Sequence, residues 1–409
     1  MAGLGTKLWT SGEVVTAANV NGYIQDQTIG KFASTTTRDA AFGGVGEPTL
    51  SEGMFAYTSD TNTLWSYDGS DWVAVLGSNI GAIQTSNRNR VINGAMQIAQ
   101  RGSVTIGASG YSLDMYRYAV ATGIPTGTIS QQTFTPGTAP VAGYEGSNFA
   151  RINITAYNGC TLLQFAPTIE DVRTFAGQTA TFSFYAKADA SSTFGSIFVT
   201  QTFGSGGSAD VNTGITLNST ALTSSWTRYT GTVAVPSISG KTIGAGSSVR
   251  VVIAQPNSGG VLRNGTYDYW GVQLEAGSVA TPFEVEDIGT TLAKCQRYYF
   301  RTPSTTAQSY ANIANGFSGS STNAEFIIHM PVTMRVAPTS FDSSAAGTLY
   351  ISSITGAGAA TTIGSNGYRA TNLSYGIILI SSGLTAGQAV LLFQNATSVA
   401  YLAASAELG

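Results

Sequence analysis

The stretch Tyr267-Asp-Tyr-Trp-Gly-Val-Gln-Leu-Glu275, followed by Thr281-Pro-Phe-Glu-Val-Glu-Asp-Ile-Gly-Thr-Thr-Leu-Ala-Lys-Cys-Gln-Arg-Tyr-Tyr-Phe300, decides how this chain is organised. The first part reads as a strand that ends in a tight Ala276-Gly277 turn. The second runs into a short Leu/Ala/Cys/Tyr helix, expected over about 290–297. A strand, a turn and a short helix in this order mark a seam between two β-domains.

On both sides of the seam the patterns are those of β-structure. Phe149-Ala-Arg-Ile-Asn-Ile-Thr155, Ala180-Thr-Phe-Ser-Phe-Tyr-Ala-Lys187, Gly195-Ser-Ile-Phe-Val-Thr-Gln201, Trp226-Thr-Arg-Tyr-Thr-Gly-Thr-Val233 and Ser248-Val-Arg-Val-Val-Ile-Ala254 read as strands. In the second of these, Phe182 and Phe184 alternate with Thr181 and Ser183, a period of two. Short strands separated by Gly, Ser and Asn turns favour an antiparallel sandwich over a parallel α/β sheet. Beyond the seam, Ala324-Glu-Phe-Ile-Ile-His-Met330 reads as a strand, Pro331 to Thr339 breaks it, and Ala389 to Phe393 and Val399 to Ala403 close the chain. Upstream, Val20, Ile24 and Phe32 recur at multiples of four, and Thr16 is placed to cap, which predicts a helix from about 16 to 30 ending at Gly30. Met54–Thr58, Thr63–Tyr67 and Asp71–Val75 read as a three-stranded meander. So few short strands bury too little to stand alone. Trp65, Tyr67 and Trp72 are expected to find further burial on the helix or on copies of the chain. Residues 80–90 form a polar linker.

Composition narrows the function classes. Of 409 residues only 10% are charged, against about 25% in an average soluble protein, while there are 49 glycines. Hydroxyl-rich, ion-poor strands suit extended β-structure and surfaces that bury each other in an oligomer. A net charge of −3 leaves no basic stripe for phosphates, so nucleic acid is not an expected partner. The longest apolar run, Gly376 to Ser381, is far short of the roughly 20 residues that span a bilayer, and no membrane insertion is expected. The opening Met-Ala-Gly-Leu-Gly-Thr-Lys has no apolar core of a secretory signal, which points to synthesis in a cytoplasm. Cys160 and Cys295 have no neighbouring Cys or His at metal-ligand spacing, and no disulfide between them is expected.

Chemistry finds few candidates. His329 is the single histidine, so multi-His metal sites are excluded, and its strand context predicts a satisfied, half-buried imidazole. The glycine-rich stretches Gly204 to Ser208 and Gly356 to Ala360 lack the lysine of a phosphate cradle and read as turns. A glycan hydrolase needs two carboxylates across a groove. The candidates are Glu170-Asp171, Asp268, Glu275 and Glu284/Glu286, and spacing alone pairs none of them. The expectation is no catalytic residue, no metal and no cofactor. Sugar recognition needs flat apolar faces flanked by hydroxyl, amide and carboxylate groups, and the 19 tyrosines supply such faces. The loop-placed candidates in the last domain are Tyr310, Tyr350, Tyr368 and Tyr375.

Three segments resemble bacteriophage tail fibres and tail-associated virion proteins. Gly-Val-Gln-Leu-Glu-Ala-Gly followed by Thr-Pro-Phe-Glu and Cys-Gln-Arg-Tyr-Tyr is one. Lys7-Leu-Trp-Thr-Ser-Gly-Glu-Val-Val-Thr-Ala-Ala-Asn-Val-Asn21, with Trp65-Ser-Tyr-Asp-Gly-Ser-Asp-Trp72, is similar to their particle-proximal part. Asn89-Arg-Val-Ile-Asn-Gly-Ala-Met-Gln-Ile-Ala-Gln-Arg-Gly102 with Asp114 resembles the opening strand and acidic element of a carbohydrate-binding-module-like jelly roll in such fibres. Met115-Tyr-Arg117 departs from that pattern, which leaves Arg117 without a carried-over role. The resemblance implies four parts: a helix-plus-meander segment for virion attachment at 1–85, a central antiparallel jelly-roll sandwich at 86–288, a helical linker at 289–300 and a distal β-sandwich at 301–409 that binds receptor. It implies a homotrimer, attached through Leu8, Trp9, Val20 and Ile24 to other tail or portal-proximal proteins. The distal domain is then presented to a host-surface glycan or protein. In jelly rolls of this type the last strand can also hold a structural calcium, and Asp268 and Glu275 have the hard oxygens for it. No dense Asp/Asn loop accompanies them, so the expected role is that of hydrogen-bonded strand-end carboxylates. A tailspike-type glycan hydrolase and a purely structural collar or decoration protein are the rival readings.

Overall fold

The computed structural model describes residues 11–17, 20, 29–45, 48–76, 87–141, 144–258, 261–302, 311–353, 356–394 and 400–408. It is mainly β, and it divides into two compact units, residues 1–85 and 86–409.

In the first unit β1 (Ile29–Phe32), β2 (Phe55–Thr58), β3 (Thr63–Tyr67) and β4 (Trp72–Leu76) form one sheet in that order. The meander has the expected strands. The fourth strand is new: Ile29–Phe32 pairs in parallel with Phe55–Thr58 where a helix was expected to reach Gly30. The ladder offered by β2 satisfies this backbone better than a helix end would. The Val20 N–H donates to the Thr16 carbonyl at 3.0 Å, a hydrogen bond of helical spacing. Residues 18, 19 and 21–28 of the expected helix, Ile24 among them, lie outside the described residues, as do Leu8 and Trp9. A short helix, α1 (Thr35–Asp39), is closed by a capping box of Ser34 and Thr37. It lays Arg38 between the rings of Trp65 and Trp72, 4.7 and 4.9 Å from their centroids. These tryptophans thus find a buried guanidinium. On the opposite face Ile29, Phe55, Val73 and Val75 stay exposed.

In the second unit the central sandwich packs two antiparallel sheets. One contains β5 (Tyr116–Ala121), β7 (Leu162–Glu170) and β9 (Ser248–Ala254). The other contains β6 (Asn148–Ala156), β8 (Thr179–Ala188) and β10 (Gly265–Ala276). Alternate residues of both, among them Phe165, Phe182, Phe184, Val251, Tyr267 and Tyr269, fill one core. The stretch 89–102, expected to open with a strand, is instead a run of turns with Asn93 and Met96 at φ 62° and 57°. Asn93 closes those turns. Its side chain donates to the Ile98 carbonyl at 2.8 Å and accepts from the Ile98 N–H at 3.0 Å.

The seam helix, α2 (Ile288–Gln296), is capped by Asp287 and buries Thr291 and Cys295. Both cysteines are free and buried. After it, β11 (Asn312–Ser318), β12 (Asn323–His329), β13 (Thr362–Tyr368), β14 (Ser374–Ile380) and β15 (Ala389–Gln394) belong to a seven-stranded sheet. Its inner face packs on a three-stranded sheet of Tyr299–Arg301, Leu402–Ser405 and Ser340–Ser343. The two sandwiches are stitched together. Arg101 pairs with Glu407 and lies 3.5 Å from the Tyr299 ring centroid, Gln100 donates to the Tyr299 carbonyl, and the Tyr111 hydroxyl donates to the Leu408 carbonyl. Arg297 and the Tyr298 hydroxyl both hold Glu170.

Candidate functional site

The outer face of the distal sheet carries a groove. Its neighbouring strands run β15, β11, β12, β14, β13. On β12 the pleat sends Ala324, Phe326 and Ile328 into the core and Glu325, Ile327 and His329 outward. His329 is therefore exposed, and not the half-buried imidazole expected, because it shares its parity with Ile327. On β14, Tyr375, Ile377 and Leu379 point inward, so the outward position opposite Ile327 is Gly376.

That glycine makes room for an aromatic ring. The pairing of β13 with β14 slips between Asn366 and Tyr368, and Gly367 takes up the slack at φ 89°. Such bulges re-aim a side chain. The Tyr368 ring then lies across the Gly376 backbone, so that a Cβ placed on Gly376 would sit 2.3 Å from its Cε1. Reaching over β14, the Tyr368 hydroxyl donates to Glu325 Oε2 on β12 at 2.9 Å. The next residue, Arg369, has φ 50° and holds its guanidinium carbon 5.7 Å from the Tyr368 ring centroid. The groove beside this ring has a volume of about 720 Å³ and is walled by Asn312, Asn315, Phe317, Ile327 and His329. Phe317 and Ile327 are 51% and 57% exposed, which offers aliphatic and aromatic surface between amide and charged groups.

Of the four candidate tyrosines, Tyr368 is the one the structure brings to this groove. Tyr310 lies outside the described residues. Tyr350 is half-buried on the strand Leu349–Ser353, 5.7 Å from the Phe393 ring centroid. Tyr375 corrects the expectation of loop placement. It is a core residue, 1% exposed, its ring tilted at 50° to that of Phe341 with centroids 4.9 Å apart, and burial pushes its phenol well up from the ordinary value. Of the N-terminal candidates, Val20 is exposed. Sequence reasoning missed Arg369, Phe317, Ile327 and Gly376. The alternation of Ala324, Phe326, Ile328 and Met330 was the available signal for the outward face of β12.

The carboxylates proposed for hydrolysis are engaged elsewhere. Asp268, 3% exposed, takes two hydrogen bonds from Arg151 at 2.7 and 2.8 Å and faces Lys187 at 3.7 Å. Glu275 accepts from the Thr281 N–H and hydroxyl and from Gln273. Both are hydrogen-bonded strand carboxylates. Glu170 and Asp171 hold Arg297 and Arg173. Glu284 accepts from the Asn89 N–H, and Glu286 pairs with Lys294. The last two line a cleft of about 30 Å³, room for a water and not for a sugar ring. No group of three or more His, Cys, Asp or Glu suited to a metal ion occurs among the described residues.

No protein-family model and no curated protein matches the chain. Among solved structures it is similar to the enzymatically active domain of tailspike protein 4 of bacteriophage CBA120, at 13% identity over 46% of this chain and 21% of that one, with TM-score 0.29. It is also similar to the CBM22-1 xylan-binding domain of Paenibacillus barcinonensis Xyn10C, at 12% identity over 46% and 93%, TM-score 0.26. A third is the CBM22-1–CBM22-2 tandem of the same enzyme, at 9% identity over 79% and 99%, TM-score 0.27. The chain spans about a fifth of the tailspike chain it matches. At these TM-scores the likeness does not bear on what the chain binds.

Proposed function

We propose that the chain is a structural protein of a phage virion, of the tail-fibre type, and that the groove on its distal sheet binds a host-surface glycan. One observation carries the binding reading: the Tyr368 ring is laid flat on Gly376 and tied by its hydroxyl to Glu325, beside exposed Phe317 and Ile327 and the amides of Asn312 and Asn315. A flat ring with hydrogen-bonding groups at its edge matches a pyranose, whose faces are apolar and whose rim is hydroxyl. The tail-fibre reading is supported by the resemblance of the 7–21 and 65–72 segments and of the seam. In this reading residues 1–85 attach to other tail or portal-proximal proteins, with Leu8, Trp9, Val20 and Ile24 as contacts, and the chain works as a homotrimer on the virion. The bare apolar face of Ile29, Phe55, Val73 and Val75 supports association of copies. The protein acts by binding, with no bond made or broken.

The test is adsorption of the labelled full-length chain to susceptible cells. Wild type should adsorb and compete with virus particles, periodate oxidation of cell-surface sugars should abolish both, and Tyr368→Ala should weaken both at least tenfold. Equal adsorption by wild type and Tyr368→Ala would contradict the assignment of the groove.

A further inference from the structure

We infer that the glycan taken by the groove is acidic, its anionic substituent seated on Arg369. The inference rests on the glycan reading and adds the chemical class of the ligand. The starting point is a cation without a protein counter-ion. Arg369 makes no ion pair or hydrogen bond among the described residues, and its guanidinium lies over the Tyr368 ring. The groove's carboxylate, Glu325, is committed to the Tyr368 hydroxyl.

The backbone supports the same conclusion. Arg369 holds φ 50°, a left-handed conformation that glycine or asparagine adopts at lower cost than a long side chain. It follows the bulge at Gly367 that also aims Tyr368. Strain of this kind persists where the surrounding structure fixes it, and it clusters at ligand sites. Here it sets a planar fork of donors on the rim of the groove next to the stacking ring. A guanidinium so placed matches a carboxylate or sulfate by two parallel hydrogen bonds.

The charged and titratable groups of the groove, Glu325, His329 and Arg369, also give it a direction. Glu325 marks the hydroxyl end of the Tyr368 ring, and the Arg369 guanidinium carbon lies over the ring, 5.7 Å from its centroid. An acidic sugar stacked on Tyr368 places its anion toward Arg369 and its hydroxyls toward Glu325, Asn312 and Asn315. The reverse orientation sets two anions together and is disfavoured.

The experiment is calorimetric titration of the full-length chain with paired oligosaccharides. Uronate-bearing chains are compared with their carboxyl-reduced forms, and sulfated chains with their desulfated forms. The expected result is at least tenfold tighter binding of one acidic member over its neutral partner, weakening as salt rises from 50 to 500 mM. Arg369→Gly relieves the left-handed strain and so keeps or raises the melting temperature. It should erase the acidic preference, bringing the acidic and neutral members of the pair within about twofold of each other. Equal binding of both members of every pair, or a preference that survives in Arg369→Gly, overturns the inference and leaves the glycan reading standing. Binding of no oligosaccharide at all overturns both.

Discussion

Replacing Gly376 by alanine separates the site from the fold. The new methyl would lie 2.3, 2.6 and 2.7 Å from Cε1, Cζ and Cδ1 of Tyr368, well inside contact distance, so the ring must lift off the strand. The backbone itself does not object, because Gly376 is not at positive φ and alanine in a strand is favoured over glycine by about 0.5–1 kcal/mol. Lifting the ring breaks the half-exposed hydrogen bond to Glu325, a loss of about 1–1.5 kcal/mol. The two effects nearly cancel, and the melting free energy should change by less than about 1 kcal/mol. Ligand binding loses the platform instead, about 1.5–3 kcal/mol for an anchoring aromatic, or roughly ten- to a hundredfold in affinity. Thermal melts and cell-adsorption isotherms of Gly376→Ala, Tyr368→Ala and the double variant measure both quantities. The double variant should be no worse than Tyr368→Ala, since removing the ring removes the three nearest atoms the methyl would meet. Wild-type adsorption by Gly376→Ala, or destabilisation beyond about 3 kcal/mol, would refute this reasoning.

Three further outcomes are expected. Burial pushes the Glu407 carboxyl up to about 7, against the pull of Arg101, and its Oε1 has no hydrogen-bond partner among the described residues. A carboxyl raised in the fold stabilises below its unfolded value of 4.5 and loses that contribution as pH rises through about 7. The stitch between the sandwiches should therefore be stronger at pH 5 than at pH 8 by on the order of 3 kcal/mol, and Glu407→Gln should flatten the pH dependence of melting. Asp268→Asn weakens a carboxylate held by two cations and should cost about 1–3 kcal/mol with adsorption unchanged; loss of a wild-type sugar-releasing activity in this variant would favour the hydrolase reading instead. Val73→Lys, at a position 50% exposed on the bare face of the N-terminal sheet, should lower the oligomeric state in sedimentation while the melting point stays within a few degrees. An unchanged oligomer would remove that face from the assembly.

The strands of both sandwiches were legible because alternation at positions such as Phe182, Phe184, Phe326 and Ile328 is a direct image of the pleat. The seam helix was legible for the complementary reason: Asp287 caps it and Thr291 and Cys295 return on one side. What escaped depends on contacts remote in sequence. The 89–102 stretch looks strand-like in residue type, but the positive φ of Asn93 and Met96 turns it into a stitch against Asp114 and Tyr299. The strand at Ile29–Phe32 exists because β2 offers it a ladder. In the candidate site, Tyr368 was chosen by residue type and expected loop placement, and it stands at the end of the strand Thr362–Tyr368. Its special status comes from the slip at Gly367 and the missing side chain at Gly376, which are visible only when β13, β14 and β12 lie side by side. Tyr375 was misplaced although its shared parity with Ile377 and Leu379 marks an inward face.

The most direct measurement is a crystal structure of the full-length chain soaked with oligosaccharides released from the surface of susceptible cells. The account predicts a sugar ring stacked on Tyr368 with an anionic group at Arg369. Sugar density elsewhere, with the Tyr368 groove empty, would contradict it.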